Sequence, residues 1–199
     1  MTPPDDLPDD LPTFQSIGIN PVWWLISIVG SVAGTFAIFY LYVATQIEPG
    51  RQARLWEFFS RGYDRPIQPD VSPLWTMPFS VQIHVVSVAL AFFAGLTIFA
   101  LPKGTGFHRI LGWTFVVAMI GAAATSIMMI ADFNTGVNFL HIFTIVTAVS
   151  LTLGLRAIWR GDVRSHAYNM IGLFIGGLLV AGAFSFIPGR LMWRMLFGV

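Results

Sequence analysis

Four side chains carry most of the chemical potential of this chain: His84, His108, His141 and His166, the whole of its histidine content. Each opens a long apolar stretch. Neutral imidazole is a ligand for iron, copper and zinc. If successive stretches cross a membrane as antiparallel helices, His84 and His141 share one end of the bundle, side A. His108 and His166 share the other, side B. One imidazole pair per membrane face is the arrangement that holds two b-type haems. A fully ligated haem iron transfers electrons rather than binding oxygen. Paired histidines near opposite ends of one span are separated by roughly 17 to 20 residues, or about 25–30 Å of helix.

Other readings of the same residues stay open. A histidine at headgroup level is well solvated and needs no ligand role. A zinc or copper site could join His108 and His166 with Asp162, or His84 and His141 with Asp132. Structural zinc, however, usually takes four ligands and often thiolates. Small residues that would admit a flat macrocycle are Gly112, Ala124 and Thr125 in one stretch and Gly172 and Gly176 in another. Arg109 and Arg164, beside the side B histidines, could pair with haem propionates.

The elements positioning these residues follow from composition. Of 199 residues, 55% are hydrophobic and only 11% charged. A soluble domain carries about 25% charged residues. The deficit is concentrated in uncharged runs, which marks an all-α integral membrane protein. Five transmembrane helices are expected, four of them in a bundle made of two tandem helical hairpins. Residues 1–20 read as an irregular acidic tail, 21–47 as the first span, and 48–80 as an interfacial helix with a Pro-rich loop. Residues 81–187 read as the four-helix bundle and 188–199 as an interfacial C-terminal segment.

Several function classes are excluded or weakened. A net charge of +1 gives no electrostatic attraction to nucleic acid. The absence of cysteine removes disulfides, iron–sulfur clusters, covalently attached haem and thiol catalysis. No carboxylate lies within the apolar runs, which argues against a proton-coupled transporter. The N-terminus has neither a basic start nor an early apolar run, so a cleavable signal peptide is not expected. Side A has six basic residues and side B five. Those of side B crowd two short connections, which favours side B in the cytoplasm.

An internal repeat supports the pairing. Aligning His84 with His141 superposes two basic–Gly steps, Lys103-Gly104 and Arg160-Gly161, and two return histidines. The intervals are 24 residues (His84 to His108) and 25 residues (His141 to His166). Copies related in this way pack around a pseudo-two-fold along the membrane normal.

Segments of the bundle resemble a bacterial membrane-protein family catalogued as domain of unknown function 2306. The resemblance runs over residues 80–187 and rests on His108-Arg109 with Leu111-Gly112, and on Arg160-Gly161-Asp162 followed by His166. The family pattern continues after the second histidine with Arg and a Trp-Met step, where this chain has Ala167, Tyr168, Asn169 and Met170. The resemblance implies a multi-pass protein of the bacterial inner membrane and supports the side B pair more than the side A pair. The layout is also similar to transmembrane dihaem cytochromes b.

The sequence therefore points to a b-type dihaem electron-transfer protein with membrane lipid and other membrane subunits around it, and with quinone as a redox partner. The alternative is a non-catalytic accessory subunit of a respiratory or photosynthetic complex. The acidic tail, the interfacial segments and the Gly30/Gly34 step of the first span motivate it.

Overall fold

The computed structural model describes residues 49–64, 66–133, 141–188 and 190–197, with a few isolated positions between 26 and 37. The expected first span lies almost wholly outside the described residues, as does the tail. Among the described residues every regular element is helical. Helix α1 runs Pro49–Tyr63, α2 Ser72–Trp75, α3 Phe79–Ala100, α4 Gly106–Phe133, α5 Ile142–Trp159 and α6 Val163–Gly172. A π-helical segment, Leu173–Val180, continues α6 and passes into α7, Ala181–Ser185; α8 is Leu191–Phe197.

Among the described residues, four helices are long and apolar enough to cross a membrane: Phe79–Ala100, Gly106–Ile130, Ile142–Trp159 and the continuous Val163–Ser185. The protein is a multi-pass integral membrane protein. Its outward surface agrees. Phe79, Ile83, Val86, Leu90 and Phe93 form one exposed stripe along α3, and Phe107, Ile110, Trp113, Val117 and Ile120 another along α4. Spacings of three and four place each set on one helical face. In water such stripes would cost about 25 cal/mol per Å² of apolar surface; against lipid they cost nothing.

Without a hydrophobic drive between helices, close packing must hold the bundle. The seam of α3 with α4 accordingly uses small residues. Ala91, Ala94 and Gly95 face Phe115, Ala118 and Ala122, all buried. A Cβ on Gly121 would sit 3.0 Å from Ser87 Oγ. The α5 helix packs mainly on α6 and the π segment. These tight pairs meet more sparingly, α4 on α5 and α3 on the π segment. The core common to all four spans holds Met119, Leu151, Leu173, Phe174 and Leu178.

The connections on side B are short for identifiable reasons. Leu101 is extended after α3, and Pro102 supplies no N–H to continue the helix. Gly104 and Gly161 adopt left-handed φ angles of 83° and 77°, which glycine enters without steric cost. These are the glycines of the two basic–Gly steps. Each return helix then starts on a polar cap. Thr105 Oγ1 accepts from His108 N at 3.1 Å, and Asp162 Oδ1 accepts from Ser165 N at 2.9 Å.

On side A, the loop after α1 is pinned to the C-terminal helix. Gln68 N donates to Leu196 O at 2.9 Å and Asp70 N to Met195 O at 2.7 Å. Asp70 also accepts from Ser72 N and Oγ at 2.8 and 2.7 Å, which holds its carboxyl below the ordinary range.

Candidate histidine site

The caps decide where two of the histidines sit. Thr105 and Asp162 fix the first turns of α4 and α6, so His108 and His166 lie within those turns. Both side chains line one cavity of about 90 Å³ at side B. The expected side B pair thus converges, from helices far apart in sequence.

The His166 ring is oriented by the neighbouring helix. Its Nδ1 lies 2.9 Å from Gly154 O on α5. A carbonyl can only accept, so Nδ1 carries the proton and Nε2 of the neutral ring keeps its lone pair. Such a second-nitrogen bond to a carbonyl is how proteins orient metal-ligating imidazoles. Gly154 allows this close approach: a Cβ there would displace the end of Met170 and lie 3.2 Å from Asn169 Cβ. His108 differs: its buried Nδ1 has no hydrogen-bond partner. An orphaned buried polar atom costs about 1–3 kcal/mol.

Aromatic and small residues complete the walls. The Phe174 ring packs over Gly95, with Cδ2 2.5 Å from where a Cβ would stand. It also meets Phe99 edge-on at 5.0 Å and Phe115 at 6.4 Å between centroids. Gly112 lines the cavity from α4, and a Cβ there would meet nothing within 4 Å. Lys103 enters from the connection, its Nζ donating to Phe99 O at 2.9 Å. Burial lowers the Lys103 pKa below the ordinary lysine value.

The other expected site residues lie elsewhere. His84 sits in the second turn of α3, its Nδ1 3.0 Å from Ala122 O and 3.1 Å from Thr125 Oγ1 on α4. His141 immediately precedes α5 and makes no side-chain cap bond. Neither lines the side B cavity. Arg109 and Arg164 are exposed, outside the cavity, and the Arg164 guanidinium stands 5.7 Å from the Tyr168 ring centroid. Asp162, committed to its cap, also lies outside. Its bonds to Ser165 hold its carboxyl below the ordinary range. Among the described residues no group of three or more His, Cys, Asp or Glu is arranged to hold a bare metal ion.

Sequence reasoning missed Lys103, Met170 and Phe174 as site residues. Only Lys103 had left a signal, as the basic partner of a repeated glycine step.

Two imidazoles are too few donors for a bare ion, whereas a haem brings four of its own. Two imidazoles converge, one with its Nε2 free to ligate, beside open space at Gly112. The volume is the opposing fact. At about 90 Å³ the cavity holds about three waters, taking ~30 Å³ for each. A macrocycle enters only if the sparse seam between α3 and the π segment widens. The chain as a whole matches no family model, no curated protein and no solved structure.

Proposed function

We propose that this protein is a b-type haem electron-transfer protein of the membrane, with one haem held by His108 and His166. The observation that carries this reading is the convergence of the two imidazoles on one apolar-walled cavity. Bound there, a haem held by His108 and His166 would supply a one-electron iron couple. The chain supplies the rest. The Gly154 carbonyl fixes the His166 ring and leaves Nε2 as the nitrogen that would hold the iron. Phe99, Phe115 and Phe174 exclude water. The glycine at position 112 leaves room for a flat ligand.

A second haem at His84 and His141 is the weaker half of the proposal. His84 shares the useful feature of His166, an Nδ1 bonded to a neighbouring helix's carbonyl. The tandem-hairpin arrangement of the repeat and an additional N-terminal span belong to the same proposal, as does quinone as redox partner.

An absorbance spectrum tests it. Protein purified in mild detergent from haem-replete cells is expected to show a Soret band and a low-spin bis-imidazole resonance by electron paramagnetic resonance. His166→Ala and His108→Ala should each convert or abolish that signal. The absence of a Soret band, or one that survives both substitutions together, would sink the reading.

A further inference from the structure

On side A, the stretch 69–78 that leads into α3 has put away most of its backbone N–H groups. Pro69, Pro73 and Pro78 carry none. Asp70 N donates to Met195 O in the last turn of α8, and Ser72 N to Asp70 Oδ1. Leu74 N donates to Val71 O, and Thr76 N and Met77 N donate to Leu74 O. The polar side chains turn inward too. Ser72 Oγ donates to Asp70 Oδ2 at 2.7 Å, and Thr76 Oγ1 to Pro73 O at 2.9 Å. The one charged residue of the stretch is Asp70, its carboxylate held by Ser72. The large apolar side chains do the opposite: Val71, Trp75 and Phe79 are 59%, 69% and 73% exposed. The segment beneath them is packed, with α2 against α8 and Leu74, Trp193 and Phe197 buried. Irregular backbone is costly at membrane depth when its polar groups lack partners. A connection with its donors bonded or missing, and its apolar side chains turned outward, suits that depth. A loop facing water needs neither feature.

We propose that this connection is a membrane anchor, with Val71 and Trp75 inserted where the headgroups of the side A leaflet meet its acyl chains. The occupant is phospholipid because the patch continues a surface that already faces lipid: Phe79 opens both α3 and its exposed stripe. Tryptophan is enriched at this level, where its ring is in apolar surroundings and its N–H reaches the headgroups. The contact is made by apolar area, so it does not select for headgroup charge. The anchor also sets the level of α8, to which Gln68 and Asp70 are bonded. It does not rest on the haem reading.

The test uses the chain's lack of cysteine. Single nitroxide labels are placed at Val71→Cys and Trp75→Cys, with Val86→Cys on α3 as a lipid marker and Arg160→Cys in a side B connection as a water marker. Each variant is checked for native helicity by circular dichroism, and either label alone reads the depth. The full chain is studied in phosphatidylcholine nanodiscs, with and without added phosphatidylglycerol, and in native membrane vesicles. Paramagnetic resonance compares collision with oxygen, which concentrates among acyl chains, and with a water-soluble nickel chelate. Both labels should favour oxygen over the chelate, reporting a depth of about 5–10 Å, shallower than Val86→Cys and the same with either lipid. Labels as open to the chelate as Arg160→Cys would put the connection in water and overturn the proposal. Labels shielded from both reagents in native membranes would put a protein partner there, and spin–spin broadening a second copy. Either result also overturns it. None of these readouts changes with bound haem, so the haem reading stands or falls by its own spectrum.

Discussion

A glycine that merely relieves crowding and a glycine that keeps a space open behave differently on substitution, and the cavity has one of each. Gly95 lies under the Phe174 ring, whereas Gly112 faces open volume. Gly112→Leu should therefore fold with native helicity and thermal stability but plug the cavity. Its affinity for haem should fall at least about tenfold, the cost of losing roughly 1.4 kcal/mol of contact. Unchanged binding would place the ligand elsewhere. At this scale the sequence was legible in part. Residue type and register paired His108 with His166, and both line one cavity. The same logic misled at Arg109 and Arg164, because proximity along a helix is not proximity in space. Successive residues turn by about 100°, so Arg109 points well away from His108, and Arg164, two residues before His166, points almost opposite to it. Lys103 escapes that geometry because it lies in a connection, not on the helix.

The clasp of α5 to α6 combines a backbone bond and a packing contact at one position. Gly154 O accepts from His166, and Met170 fills the space beside the Gly154 Cα. Gly154→Val would push Met170 aside and shift the carbonyl that orients the imidazole. The expected cost is about 1–3 kcal/mol, as for other overpacked interiors. It should appear as a lowered thermal midpoint together with loss of the low-spin spectral signature. Retention of both would show that the clasp is not needed. The histidines marked the helix starts; the caps that set two of them, Thr105 and Asp162, emerge from the structure. The winding of Leu173–Val180 had no such mark. An apolar run with paired glycines, LFIGGLLV, gives no cue to distinguish i→i+5 from i→i+4 bonding. Within this segment Gly177 packs close to Thr147 of α5. Such segments often mark functional sites, and this one carries Phe174 into the cavity wall.

Among the described residues, four spans set the topology. The chain has no cysteine, so single introduced cysteines report on sidedness without background. Thr105→Cys and Arg160→Cys should be labelled by an impermeant maleimide from one face of the membrane and Ile67→Cys from the other. Labelling of Thr105→Cys and Arg160→Cys from opposite faces would break the four-span arrangement and the side B cavity with it. The spans themselves are unequal, from 18 residues in Ile142–Trp159 to 25 in Gly106–Ile130. At 1.5 Å per residue these reach about 27 and 38 Å, against a hydrocarbon layer of about 30 Å. The α4 helix therefore outreaches the layer, and it must tilt or extend into the headgroups, at fractions of a kcal/mol per Å of mismatch. The exposed Trp159 ring at the end of α5 suits the interface at that end. A thicker bilayer would let α4 stand more upright, so its lean becomes a gauge of the membrane around it.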